Sequence, residues 1–457
     1  MVVHDLVARA RIAACSTIDA TADSNLGATE VTGFIISAVF IALMVAGVPI
    51  GVALMLGGAV GIGLGGLGWL AIPNNFYSGI AKYPLLALPM FVLVGAIFDR
   101  SGVAKRLVDF AIAIVGRGPG MLPLVAIAVA MFLGGISGSG PANAAAVGGV
   151  MLVAMARAGY PPAYSASVIG AAAATDILIP PSIAFIVYSV MVPGASVPAL
   201  FAAGMIPGIL AGLALIIPAV WLARRHGFGA AEALEPRPPF WRALREAIWG
   251  LFAPVLILGG MRAGWFTPTE AAVVAVFYGL FVGMFIHRTM RLRDLTDILV
   301  EAAEVSGVIM VVIALASIFA YAVNTLSIID PIARAVLDSG IGSLGALAVI
   351  IVVLLFVGMV LDGVSIFLIF VPLLMPLMKA YGWHPVWFGV LLTYMVAIGQ
   401  FTPPVAVNLM VSARLAGVRI EQTIPWVMWL VFAMAVVLVA LVAVPDLALW
   451  LPRKLGY

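Results

Sequence analysis

Two matching sets of helix-breaking residues, each set into long apolar runs, constrain this chain more than any other feature. A shift of 223 positions lays Gly135 on Gly358, Gly140 on Gly363, Gly159 on Gly382 and Pro162 on Pro385. The same shift lays Pro180-Pro181 on Pro403-Pro404, and Tyr160 and Tyr164 on Trp383 and Trp387. A single glycine match means little in a chain with 48 glycines, but a whole set at one gapless offset marks an internal repeat. Each half then reads as an apolar helix, a Gly-rich break, a second apolar helix, a Gly-aromatic-x-Pro connection, a third helix, a Pro-Pro break and a fourth.

The break Gly134-Gly135-Ile136-Ser137-Gly138-Ser139-Gly140-Pro141-Ala142-Asn143 cannot carry regular helix, because Gly gives up backbone entropy and Pro lacks a donor. What surrounds it decides its meaning. Hydrophobic residues make up 64% of the chain and charged residues 9%, against about 45–50% and about 25% in soluble domains. The chain is therefore an all-α polytopic membrane protein, with room for roughly ten to twelve membrane segments. Non-helical backbone at membrane depth is tolerated only where it faces protein or a wet cavity. Carriers hold ions and substrate at such discontinuous helices, between inverted-topology repeats.

The repeat sets the domain organisation. Residues 1–30 are an N-terminal extension with no counterpart. Residues 31–223 form repeat 1, with a hairpin tip near 134–143 and an unwound segment at 179–182. Residues 224–246, rich in Arg, are a polar linker read as cytoplasmic by the positive-inside bias. Residues 247–451 form repeat 2, with a tip near 358–363 and an unwound segment at 401–404, and 452–457 are a tail. Within repeat 2, Thr267-Pro268-Thr269-Glu270 has the form of a capping box. Leu292–Ser306 reads as an amphipathic surface arm, separate from a span at Val308–Asn324. Ala71–Pro84, with Phe76, Tyr77, Lys82 and Tyr83, reads as interfacial.

The net charge of +3 is not a nucleic-acid signal in so apolar a chain, and the lone Cys15 forbids an internal disulfide. His4, His226, His287 and His384 have no metal-ligand spacing. No nucleophile elbow, phosphate loop or His/Cys cluster supports an enzyme. An ion channel would need a continuous polar path, whereas the polar atoms here gather at two discrete breaks.

At the tips the repeat sets Ser139 against Asp362. An ionisable residue at membrane depth points to function by default; the alternative is that Asp362 caps a helix start. Hard cations take oxygen ligands, and half-helix N-termini attract anions. A cation at each tip, beside a Pro-Pro break, implies co-transport of a carboxylate. Asn143 is a candidate for substrate or hairpin bonding, and Ser182 for an N-cap or a ligand. Of the pair flanking the second break, Asn408 is assigned to the cavity and Gln400 to freed backbone groups.

Together these residues resemble a family. Leu88-Pro89-Met90-Phe91, Gly135-Ile136-Ser137-Gly138-Ser139-Gly140, Gly159-Tyr160, Ile179-Pro180-Pro181-Ser182, Phe266-Thr267-Pro268-Thr269-Glu270-Ala271 and Thr402-Pro403-Pro404 are similar to the large membrane subunit of tripartite ATP-independent periplasmic (TRAP) transporters. This is the DctM-like group of the ion transporter superfamily, and the resemblance covers about residues 31–450. It implies two re-entrant helical hairpins and two unwound helices in an elevator-type transport domain, carried on a scaffold. It implies import of an organic acid anion across the inner (plasma) membrane of a bacterium or archaeon, driven by Na+ as coupling ion and with no cofactor. The partners it implies are a periplasmic substrate-binding protein, a small four-helix membrane subunit and the lipid bilayer; nucleic acid is not among them.

Ser139 and Asp362 match the family's Na+-site residues. The expected Na+ contacts are Ser137, Ser139, Gly140, Asp362, Gly363, Thr402 and Pro403. Those expected for substrate are Ser139, Asn143, Asp176, Pro181, Ser182 and Asn408. Asp176 departs from the family pattern, which has a small residue there. Either it faces the cavity, tuning substrate or linking a proton, or it is paired elsewhere. The other reading of the whole chain is a stand-alone Na+- or H+-coupled carboxylate carrier of the same superfamily.

Overall fold

A computed structural model describes residues 31–116, 118–234 and 237–457; the N-terminal extension lies outside the described residues. The first half begins with α1 (Val31–Val45), α2 (Ile50–Leu64) and α3 (Ala71–Ile80). A 3-10 turn at Tyr83–Leu86 then leads into α4 (Ala87–Arg100) and α5 (Val103–Val115). A hairpin follows, α6 (Met121–Ser137) and α7 (Gly140–Arg157), then a broken helix, α8 (Pro162–Ala173) and α9 (Ile183–Met191), then α10 (Val197–Arg225).

The second half runs through α11 (Phe240–Arg262), α12 (Pro268–Phe281), α13 (Asp294–Thr325) and α14 (Asp330–Asp338). Its hairpin is α15 (Ser343–Gly358) and α16 (Gly363–Ala380), and its broken helix is α17 (Pro385–Gly399) and α18 (Val407–Ala416). α19 (Ile424–Ala443) and α20 (Asp446–Leu455) close the chain. The chain is thus all-α, with a hairpin and then a broken helix in each half.

Local chemistry sets these elements. α6 stops where Gly138 turns left-handed (φ 63°), Ser139 is extended, and Pro141 restarts helix in the first turn of α7. Both Pro-Pro bonds, Pro180-Pro181 and Pro403-Pro404, are cis. In the second break Ala406 takes a left-handed φ of 50°, and its N–H donates to the Met359 carbonyl at 3.2 Å, tying the break to the second tip. α12 opens with the expected capping box: Thr267 Oγ1 accepts from the Glu270 amide at 3.3 Å, and Glu270 Oε2 accepts from the Thr267 amide at 2.8 Å.

Among the described residues seven helices are long and apolar enough to cross a membrane, and six apolar helices are shorter. The short ones include α6, α15, α17 and α18, because hairpin arms and half-helices need not span a bilayer.

Three expectations change in detail. Leu292–Ser306 is not a separate arm: α13 runs unbroken through 32 residues, since no Gly or Pro pair interrupts it and its acidic first turn suits a helix N-terminus. The stretch 224–246 is helical at both ends, with a 3-10 turn at Ala230–Leu234. It is anchored, because Tyr160 donates to buried Glu232 at 2.7 Å while accepting from the Gly120 amide at 2.8 Å. Lys82 does not simply reach for solvent; its Nζ donates to the Val190 carbonyl at 3.0 Å, in the last turn of α9.

The chain divides into two compact units. One comprises the chain up to Ala81 with Met310–Ala346 and Leu368–Leu377. Its core is Ile62, Ile318 and Ala322, walled by Met55, Leu67, Ile72 and Tyr321. Gly58 is obligatory there, since a Cβ on it would lie 2.7 Å from the Phe319 amide nitrogen. The other unit comprises Lys82–Ile309, Leu347–Phe367 and Met378–Tyr457, and so holds both hairpin tips and both breaks. Inside it α8 packs on α18 and α9 on α17, so the two broken helices lie head to tail. α6 and α7 pack on α8, and α7 also reaches α18.

Candidate functional site

The head-to-tail pairing brings both breaks and both tips to one place. At the first tip a Cβ on Gly138 would lie 3.1 Å from the Pro181 carbonyl oxygen, and one on Gly135 3.2 Å from that of Pro180. A Cβ on Gly140 would lie 2.7 Å from either side-chain polar atom of Asn408 and 2.9 Å from Gln400 Oε1. The first hairpin therefore touches both breaks. At the second tip Gly358 and Gly399 are in backbone contact: a Cβ on Gly399 would stand 2.5 Å from the Gly358 carbonyl carbon. A Cβ on Gly363 would lie 3.5 Å from Gln400 Nε2. Gln400 thus sits between the two tips.

These elements enclose a cavity of about 250 Å3. Ser137, Ser139 and Gly140 line it from the first tip, and Asp362 and Gly363 from the second. Ile177, Ile183 and Ala184 come from the first break, Gln400 and Val407 from the second. α4 contributes Val92, Gly95, Ala96 and Asp99, and α13 contributes Glu301, Ala302, Val305 and Ile309. The lining carries three carboxylates, Asp99, Glu301 and Asp362, and no Lys or Arg. Glu301 is bonded to Arg100 at 2.7 Å.

Of the expected Na+ contacts, Ser137, Ser139, Gly140, Asp362 and Gly363 share this cavity, while Thr402 and Pro403 do not line it. Thr402 is buried, with its hydroxyl donating to the Ile398 carbonyl at 2.6 Å. Asp362 fulfils the capping alternative as well as facing the cavity. Its Oδ2 accepts from the amides of Val364 at 3.0 Å and Ser365 at 3.2 Å, and its Oδ1 accepts from the Ser365 hydroxyl.

Of the expected substrate contacts only Ser139 lines the cavity. Asn143 is buried and donates to the Ala130 carbonyl at 2.9 Å, bracing the hairpin. Ser182 occupies the N-cap position of α9 without lining the cavity, and its hydroxyl makes no cap bond; it donates instead to the Ile177 carbonyl at 2.6 Å, serving backbone freed by the break. Pro181 presses its carbonyl against Gly138. Asn408, fully buried, donates to Gln400 Oε1 at 3.2 Å and its amide to the Gln400 carbonyl at 2.9 Å. The roles assigned to this pair are therefore exchanged: Gln400 faces the cavity and Asn408 supports it. Asp176 lies beneath the first tip, fully buried, where its Oδ2 accepts from the Ser137 hydroxyl at 3.3 Å.

Asp99 and Glu301 are not among the expected site residues, and Glu301 falls in the stretch expected to be a surface arm. The signal for Asp99 is present: Val92, Gly95, Ala96 and Asp99 fall at i, i+3, i+4 and i+7, a single helix face carrying small residues and one acid.

The comparisons with known proteins agree with this architecture. Residues 37–447 match the family model of the tripartite ATP-independent periplasmic transporter, DctM component. The C4-dicarboxylate TRAP transporter large permease protein DctM of Pseudomonas aeruginosa is 39% identical over 379 residues, covering 82% of this chain and 87% of that protein. The isethionate TRAP transporter permease protein DctMQ of Oleidesulfovibrio alaskensis is 36% identical over 90% of this chain, which spans 65% of that longer protein. The sialic acid large permease SiaM of Vibrio cholerae is 31% identical, with 92% and 98% covered. Among solved structures, the Alcanivorax borkumensis YdaH transporter aligns with a TM-score of 0.55 at 13% identity, over 81% of this chain and 87% of that one. The Neisseria gonorrhoeae MtrF structure aligns with a TM-score of 0.54 at 13% identity, over 80% and 82%. At that identity the two structures establish a shared fold. The chain is a multi-pass membrane protein and belongs to the DctM family, the large permease component of TRAP transporters, which are transporters and not enzymes.

Proposed function

We propose that this permease imports an organic acid anion across the inner membrane, driven by a Na+ gradient. In this reading a periplasmic substrate-binding protein delivers the acid, and a small four-helix membrane subunit completes the membrane part. The observation that carries it is the cavity where both tips and both breaks meet, lined by Asp99, Asp362 and an Arg100-paired Glu301 and by no basic side chain. An anion entering such a cavity alone meets like charge at short range, about 4 kcal/mol per pair at 4 Å for an effective dielectric of 20. Cations bound at the tips reverse that sign, so anion and cation must travel together. Oxygen donors at both tips suit a hard cation such as Na+. The relatives named for C4-dicarboxylate, isethionate and sialic acid support an organic acid as the substrate class.

In this reading residues 31–223 and 247–451 are the two repeats joined by 224–246, and the unit holding the cavity moves as a body in an elevator cycle. Ser137, Ser139 and Asp362 face the ions. Ser139 and Gln400 face the acid, while Asn143, Ser182 and Asn408 hold the walls.

The test is uptake of a panel of radiolabelled organic acids by proteoliposomes holding this chain and its small subunit. Uptake is expected to require both an inward Na+ gradient and the loaded binding protein. Uptake that proceeds without the binding protein would instead establish the stand-alone carboxylate carrier.

A further inference from the structure

We infer that Asp176 supplies the negative charge of a cation site at the first hairpin tip, the part that Asp362 takes at the second. The inference rests on the cation-coupled reading above and adds to it a residue assigned until now to substrate or to scaffold. Asp176 sits in the first break between α8 and α9, at 0% exposure. Its Oδ2 accepts from the Ser137 hydroxyl at 3.3 Å, and that hydroxyl oxygen in turn accepts from the Ser139 amide at 3.5 Å. The side chain that bonds it therefore belongs to the tip.

The charge so held has no partner of opposite sign. Among the described residues no Lys or Arg pairs with Asp176, and the ionisable group that acts on it is Asp99, of the same sign. Its Oδ1 is buried with no hydrogen-bond partner. A buried carboxylate with one bare oxygen and a like charge nearby is strongly disfavoured unless a proton or a metal cation joins it, and a response to Na+ over K+ separates the two. Asp176 does not line the cavity, so it does not meet the acid directly. Ser137 does line it, and stands between the carboxylate and the open space.

The repeat supplies an independent argument. Ser139 is the mate of Asp362, and Asp176 is the mate of Gly399. Each half therefore has one carboxylate for its tip and an uncharged residue at the other position. The first hairpin makes room for Asp176: Gly134 is bare where a Cβ would stand 2.8 Å from the Asp176 Cα.

The test is the thermal stability of the purified protein titrated with NaCl at constant ionic strength, KCl making up the balance. Wild type is expected to be stabilised by Na+ over K+. In Asp176→Asn, which keeps shape and loses charge, the Na+ concentration for half-maximal stabilisation is expected to rise about tenfold or more, the scale of one short-range charge interaction. Ser137→Ala, which leaves the charge in place, serves if Asp176→Asn does not fold; a smaller rise is expected. A folded Asp176→Asn, or a Ser137→Ala, whose Na+ curve superimposes on wild type overturns this assignment alone. A wild type indifferent to Na+ against K+ overturns the coupled reading and this assignment with it.

Discussion

At the second hairpin the carboxylate is on the tip itself: Asp362 faces the cavity, and both its oxygens are engaged by the first turn of α16. At the first hairpin it comes from beneath, on the broken helix: Asp176 is buried, reaches the tip through Ser137, and keeps one oxygen bare. The two halves share one pattern of breaks, yet the carboxylate stands on the hairpin in one and on the broken helix in the other. The same local charge can thus be supplied from either element. Where the charge sits also decides what else it does. Asp362 is a helix cap as well as a charge, whereas Asp176 has no structural duty that an uncharged acceptor could not perform.

The largest effect expected from this comparison is steric. Gly399→Val places a Cβ 2.5 Å from backbone of Gly358, with no flexible side chain to give way. It is expected to cost about 1–3 kcal/mol or more, read as a drop in melting temperature with loss of uptake. The mate position tolerates change in the other direction: Asp176→Gly is expected to keep the fold and lower Na+ affinity. A stable, active Gly399→Val would show that the second break does not need its bare position against Gly358.

Next comes the double role of Asp362. Asp362→Ala removes cap and charge together, with about 0.5–2 kcal/mol expected from the cap. Asp362→Asn keeps an acceptor for the Val364 and Ser365 amides and is expected to retain most of that stability while losing Na+-driven uptake. Equal melting temperatures for Asp362→Ala and wild type would remove the capping role. A smaller effect on transport, though not on stability, belongs to Gln400, which stands between the tips. Gln400→Ala leaves Asn408 Nδ2 without its 3.2 Å acceptor, an expected loss of about 1–3 kcal/mol for an unsatisfied buried donor. It is also expected to raise the KM for the acid more than the half-saturating Na+ concentration. The smallest expected effect is that of Ser139→Ala, a modest weakening of Na+ dependence with insertion and melting temperature unchanged.

The breaks were legible in the sequence because Gly and Pro act on their own backbone. Gly138, Gly140-Pro141 and the two Pro-Pro pairs interrupt helix wherever they are placed, and the constant offset exposed the repeat without any knowledge of contacts. The site was legible only where a residue lies on a break. Ser137, Ser139 and Asp362 were found in this way. Asp99 and Glu301 sit within regular helix, where the same residue faces lipid, protein or cavity according to a rotation that tertiary packing decides. For Asn143 the hairpin-bonding alternative is the one that holds, and the other polar residues beside the breaks differ from expectation for a related reason. A break frees carbonyls that need donors, and Ser182 and Thr402 answer that need at 2.6 Å, while Asn143 braces the hairpin and Asn408 holds the Gln400 side chain. Proximity to a break could not tell them apart from Gln400, which faces the cavity.

The most direct test of the account is equilibrium binding of 22Na+ to the purified wild type, Asp176→Asn, Asp362→Asn and the double variant. If each half brings one carboxylate to its own tip, each single variant binds one ion fewer than wild type, and the double variant loses both. Single variants that both retain the wild-type number of ions, or a loss at Asp362→Asn with none at Asp176→Asn, would contradict it.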